Sequence, residues 1–135
     1  METLKQINTL QQTRISEWHQ QQPQVSSQGL LKTIEEQHLQ NYLLWHEEDI
    51  ARDPEVSNDE IARVKRSIDR LNQKRNDLIE QIDETILVRL NAEGVGLNHN
   101  SPMNSETPGG IIDRCSIMAL KIYHMEKQTR SSDVD

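Results

Sequence analysis

Ser57-Asn-Asp-Glu-Ile-Ala-Arg-Val-Lys-Arg-Ser-Ile-Asp-Arg-Leu-Asn-Gln-Lys-Arg-Asn-Asp-Leu-Ile-Glu-Gln-Ile-Asp-Glu-Thr-Ile-Leu-Val-Arg-Leu90 decides the fold class of this chain. Ile61, Val64, Ile68, Leu71, Leu78, Ile82 and Ile86 recur at steps of three, four and seven, which a 3.6-residue helix gathers onto one stripe. Ser57-Asn-Asp-Glu60 has the form of a capping box, in which the Ser oxygen takes one free amide and the Glu reaches back to another. A helix over 57–90 follows, roughly 50 Å long at about 1.5 Å per residue, and it is expected to be the spine of the fold. On the helical wheel Arg75 falls inside the apolar stripe, Asn72 lies at its edge, and Asp69 and Asn76 stand farther round. An arginine there must snorkel outward, pair with a carboxylate or face a ligand.

The flanking segments are also helical. Residues 1–22 repeat apolar side chains at approximate helical spacing, and 23–28 read as a Gln/Ser-rich linker. A helix over 29–53 ends before Pro54, since the residue preceding a proline avoids helical geometry. Residues 91–106 hold glycines, a proline and several asparagines, so they form a loop of the length often tied to function. Thr107-Pro108 then opens a helix over 107–127, with Thr as N-cap and Pro where its missing N–H costs nothing, and 128–135 form a tail. No β-type alternation appears. The expected architecture is all-α, one domain over 1–135, a bundle of about four helices around one long central helix.

Charge recurs on faces that should be buried. In the second helix Ile34, His38, Tyr42, Trp45, Asp49 and Arg52 share a face, with Glu48 alongside. The fourth is apolar nearly all round, the mark of an interior helix, yet it carries Asp113, Arg114, Lys121 and His124. Asp113 and His124 share a stripe but lie about 16 Å apart along the axis, so their partners must come from other helices. A polar cluster where the second, third and fourth helices meet is the expected candidate site. It is either a set of structural pairs, such as Arg75 or Arg52 with Asp49, Glu48 or Asp113, or the wall of a ligand pocket. The start of the fourth helix, with its free amides, Gly109, Gly110 and Arg114, is a candidate anion site, unless Glu106 or Asp113 satisfies those amides.

Composition bounds the function. The 135 residues are 33% hydrophobic with no Phe, so the core is thin and self-association is expected to bury more surface, as a homodimer. The net charge of −7 argues against nucleic-acid or anionic-membrane binding. No run reaches the roughly 20 apolar residues of a membrane span, and the polar start is not a signal peptide. The single Cys115 excludes an intrachain disulfide and is expected to be a small buried residue.

Catalytic motifs are thin. Glu35-Glu36-Gln37-His38 supplies one Glu-x-x-His where di-iron bundles need two, so no metal site is expected and His38 reads as a polar core residue. Glu80-Gln-Ile-Asp83 is one half of the carboxylate pattern of helical nucleotide pyrophosphatases, and the other half is missing. Residues 68–75 look slightly like the first helix of the helical chorismate mutases.

Leu44-Trp-His-Glu-Glu-Asp-Ile-Ala-Arg52, Lys65-Arg-Ser-Ile-Asp-Arg-Leu-Asn-Gln-Lys-Arg-Asn-Asp77, Asn104-Ser-Glu-Thr-Pro-Gly-Gly-Ile-Ile-Asp-Arg114 and Leu120-Lys-Ile-Tyr-His-Met125 occur in that order. Together they resemble the bacterial domain-of-unknown-function family 4254 over about two thirds of the chain, with Trp18-His19 a further match; Cys115 and Met118 stand where the family pattern has Leu. The resemblance implies a cytoplasmic bacterial protein, linked to cell-envelope glycan synthesis, and implies no activity. Its motifs stress Trp45, Glu48, Asp49, Arg52, Asp69, Asn72, Arg75, Asn76, Glu106, Thr107, Asp113, Arg114, Lys121 and His124 as ligand-binding residues. The leading expectation is a non-catalytic binding or accessory module for a small anionic or sugar-like ligand, with Arg52, Arg75 and Arg114 as donor forks. A metal-assisted phosphohydrolase using the same carboxylates, with His38, His46 or His124 as acid or base, is the alternative. A helical interaction scaffold, with an exposed apolar stripe and no pocket, is the third. Catalytic residues and cofactors are not identifiable from the sequence.

Overall fold

A computed structural model describes residues 4–94 and 106–132 of the chain, with four helices and no strand among them. They are α1 (Leu4–Gln20), α2 (Leu30–Arg52), α3 (Asn58–Ala92) and α4 (Pro108–Ser132). Most of the expected loop over 91–106 and the last residues of the tail lie outside the described residues. Residues 128–132, expected as tail, instead continue α4.

Local chemistry sets the boundaries. Ser57 caps α3, its hydroxyl accepting from the Glu60 amide at 3.1 Å. The Glu60 carboxylate, however, turns forward to Arg63 at 2.8 Å. Asp53, held extended by Pro54, closes α2 at φ −68° and ψ 120°. The Thr107 hydroxyl caps α4 by accepting from the Gly110 amide at 3.1 Å.

Two apolar clusters sit at different levels of the bundle. Ile7, Leu30, Ile34, Ile82 and Ile112 form one; Ile15, Trp18, Tyr42, Ala119 and Leu120 form the other. Going from the first to the second, residue numbers rise along α1, α2 and α4. Those three helices run the same way, and α3 runs against α2 and α4. Parallel neighbours cannot be joined by a tight turn, so the segment between α1 and α2 must travel back along the bundle. It does so as an extended strap. Trp18 Nε1 donates to the Gln24 carbonyl at 3.2 Å and Arg14 Nη2 to Ser26 Oγ at 3.3 Å, pairing successive strap residues with earlier turns of α1. The Ser26 and Ser27 amides then both donate to the fully buried Glu35 carboxylate at 3.1 Å. Arg14 Nε lies 3.2 Å from Glu35 Oε2, an ion-pair contact off the hydrogen-bond axis. Burial opposes the Glu35 charge, but the hydrogen bonds from Ser27 and Ser26 and the Arg14 charge outweigh it and hold the carboxyl below its ordinary pKa. Gly29 ends the strap at φ +64°, a left-handed geometry that favours glycine.

The bundle is built with the one long helix expected, α3, whose 35 residues outrun its neighbours, so most of its stripe is only partly covered and only Val64, Leu78 and Ile82 are fully buried, against nine buried residues in α2. One expectation needs correction. The helix α4 is not interior on all sides: Ile111, Met118, Ile122 and Met125 are exposed, and Cys115 is half-buried. Its three neighbours cover one side of it and leave this face open.

Candidate functional site

Between the two apolar clusters lies a layer of buried polar side chains: Gln11, Gln37, His38, Asn41, Asp113 and Ser116. His38 Nε2 donates to the Gln11 carbonyl at 2.8 Å, since a carbonyl can only accept. Its Nδ1 therefore accepts from the Ser116 hydroxyl, 2.5 Å away. Ser116 Oγ in turn accepts from Asn41 Nδ2 at 3.0 Å, and the other Asn41 amide hydrogen goes to Asp113 Oδ1 at 2.9 Å. This is the chain of bonds that a neutral His38 makes. Burial lowers its pKa to about 4, against smaller opposing effects of the Gln11 carbonyl and the Glu35 charge.

Asp113 is the hub. Arg75 grips it with two bonds, Nε to Oδ1 at 2.9 Å and Nη2 to Oδ2, while Gln37 Nε2 and Asn41 Nδ2 also donate to Oδ1. Burial raises the cost of this charge, but Arg75, Asn41 and Gln37 overcome it and hold the carboxyl below its ordinary value. Arg75 thus reaches from the stripe of α3 to α4, and this pair is one of those the polar positions of the two helices had suggested.

A cleft of about 250 Å³ opens where α2, α3 and α4 meet, with Trp45, Glu48, Asn72, Arg75, Ile117 and Lys121 on its wall. Five of the residues expected in a site therefore converge: Trp45, Glu48, Asn72, Arg75 and Lys121. Asp113 anchors Arg75 beside them, and His124 lies flat against Trp45, with ring centroids 4.4 Å apart and planes 3° from parallel. Charge in the cleft is close to balanced, with Glu48 and Lys121 carrying opposite signs and Arg75 neutralised by Asp113.

The other expected residues are elsewhere. Asp49 and Arg52 pair with each other at 3.4 Å on the exposed last turns of α2, with more than half of each side chain in solvent. Asp69 and Asn76 are exposed on α3. Arg114 and Glu106 form an exposed pair at 2.6 Å at the start of α4. The three arginine forks do not converge, and each is already engaged by a carboxylate. The helix start is likewise not open to an anion: the Gly109 amide donates to Asp83 Oδ1 at 2.7 Å, and this carboxylate from α3, neither Glu106 nor Asp113, occupies it.

A second cluster lies behind Trp45. His19 from α1, His46 from α2 and His124 from α4 approach with ring centroids 5.5 and 5.8 Å from His19, among Tyr42 and Tyr123. His19 Nδ1 donates to the Ile15 carbonyl at 2.7 Å. Burial first, then the neighbouring His19, lowers the pKa of both His46 and His124 against the pull of Asp49. Among the described residues no three His, Cys, Asp or Glu side chains are grouped to hold a metal ion.

Sequence reasoning missed Glu35, Gln11, Gln37, Asn41 and Ser116 as buried hydrogen-bonding residues. The available signal was that Gln37, His38 and Asn41 sit between Ile34 and Tyr42 on the inward face of α2. A family model described as "Protein of unknown function (DUF4254)" matches residues 31–135, so the match takes in α2, α3, α4 and the whole cleft. No curated protein and no solved structure matches the chain.

Proposed function

We propose, for a chain that belongs to the DUF4254 family, that the cleft between α2, α3 and α4 binds a small, hydroxyl-rich, sugar-like ligand without transforming it. The observation that carries this reading is the convergence of Trp45, Glu48, Asn72, Arg75 and Lys121 from three helices around one cleft. An indole face suits the apolar face of a sugar ring, while Glu48 offers an acceptor and Asn72 both an acceptor and a donor for hydroxyls. At about 250 Å³ the cleft lies just below the roughly 300–1,000 Å³ of drug-sized pockets, which favours a single ring over a nucleotide. The near-balance of charge favours a neutral ligand over a phosphate, because the Arg75 fork is already filled by Asp113. Cell-envelope glycan synthesis in the cytoplasm is the setting we assign to such a ligand.

The test is a thermal-shift screen with free hexoses, N-acetylhexosamines, their phosphates and inorganic phosphate. A neutral sugar at about 100 times its Kd should add about 2.7 kcal/mol of apparent stability, and Trp45→Ala or Asn72→Ala should abolish that gain. A shift given by phosphate alone, or a sugar shift unchanged in both variants, would overturn the reading.

A further inference from the structure

We infer that the outward face of α4 is a self-association surface, and that its occupant is a second copy of this chain with the two α4 helices parallel across a two-fold axis. Ile111, Cys115, Met118, Ile122, Met125 and Thr129 follow one another at steps of four, three, four, three and four. That is the seven-residue repeat with which helices pack knobs into holes. Among the described residues the face is unpartnered: Ile111 is 41%, Met118 55%, Ile122 45% and Met125 65% exposed, and Leu4 and Val88 are the only other large exposed hydrophobics. An isologous contact needs a patch that is complementary to itself, and a regular apolar stripe on one straight helix meets that condition.

Charge selects the orientation. Arg114 and Lys121 flank the stripe on one side, and Glu126 flanks it on the other. In a parallel pair each flank meets the opposite flank of the other copy, so Lys121 faces Glu126 of the second copy, twice by symmetry. An antiparallel pair would set the Arg114–Lys121 flank against itself and leave Lys121 without Glu126 opposite it, with Arg114 already paired to Glu106. The stripe alone presents on the order of 300 Å² per copy, taking about 27 Å of helix some 10 Å wide, short of the about 800 Å² per partner of a stable interface. It continues into a groove of about 200 Å³ between α4 and α1, lined by Gln12, Ile15, Ser16, Ala119, Ile122 and Glu126. Side chains of the second copy seated there widen the contact, and the expected assembly is a reversible dimer.

Sedimentation equilibrium of the full chain tests this. The mass should rise from 15.7 kDa toward its double as concentration increases. Met118→Glu should hold the chain monomeric with its helical circular dichroism unchanged. Lys121→Glu and Glu126→Lys should each raise the dimer Kd about tenfold, and the two together should restore it. Diamide oxidation of the wild type needs no variant: Cys115 of each copy faces its counterpart across a parallel axis, and the two thiols should close a disulfide, their two electrons and two protons passing to diamide. Monomer at every concentration, a dimer indifferent to Met118→Glu, no rescue by the double reversal, or no covalent dimer on oxidation would each overturn the inference.

Discussion

Before it reaches the buried carboxylates of Glu35 and Asp113, acid should weaken this protein through His38. Its pKa is lowered from 6.5 to about 4, with burial the main cause. Below pH 6.5 the unfolded chain therefore takes up a proton that the folded chain refuses, and stability falls with pH until the folded group also titrates near 4. At about 1.4 kcal/mol per pH unit, this residue alone removes about 2 kcal/mol between pH 6.5 and about pH 5, and roughly 3 kcal/mol by pH 4. The carboxylates with lowered values act later: the stability held by Glu35 and Asp113 is lost only as pH falls below their unfolded values of 4.5 and 3.8. His46 and His124, also lowered, push in the same direction as His38 but are less buried. Urea denaturation at steps from about pH 7.5 to 5 should show the decline beginning near 6.5. The His38→Gln variant separates the contributions, because it starts less stable but should show a clearly flatter slope. A wild-type stability that stays level between pH 6.5 and 5, or an equal slope in the variant, would refute the neutral-His38 network.

The Arg75–Asp113 pair should respond asymmetrically. Arg75→Leu strands a carboxylate only 7% exposed and should cost about 3–5 kcal/mol. Asp113→Leu leaves an arginine already 26% exposed that can turn to water, so it should cost less, and the double variant should recover most of the loss; equal single costs in urea unfolding would contradict this. At Gly109 a Cβ would stand 2.7 Å from the Ile79 carbonyl oxygen and 3.0 Å from Asp83 Oδ1, whereas at Gly110 it meets only Thr107 Oγ1 at 3.3 Å. Gly109→Ala should therefore destabilise by about 1–3 kcal/mol and Gly110→Ala by clearly less. Matched melting curves for the two variants would argue against the close docking of α4 on α3.

Periodicity was enough to read four helices and a polar meeting point among the last three. Arg75 inside an apolar stripe and Asp113 inside an apolar helix both announced themselves, because each broke a pattern that burial explains. The wheel failed where length mattered. It reports the angle around an axis and nothing about where neighbouring helices stop, so Asp49 and Arg52 seemed to continue the inward face of α2 although they lie exposed at its end. The same limit made α4 seem enclosed, since a helix with three neighbours and one with four can share a composition. The parallel run of α1 and α2 left no local trace at all. Only Glu35, a charged residue at a fully buried position, betrays the strap it holds, and a carboxylate in a helix reads as surface until its partners are seen.

The ring pairs give the molecule a built-in optical gauge. Its two tryptophans each lie beside a histidine: Trp45 stacks flat on His124, and Trp18 leans at 35° toward His38 with centroids 5.4 Å apart. Protonating either imidazole turns a neutral ring contact into a cation–π contact and changes the electronic surroundings of one indole. Trp18 lies in the core, while Trp45 is only partly covered, so their emission differs in colour before any titration begins. Intrinsic fluorescence can thus follow the rim of the cleft and the buried layer separately, in one cuvette and without a label.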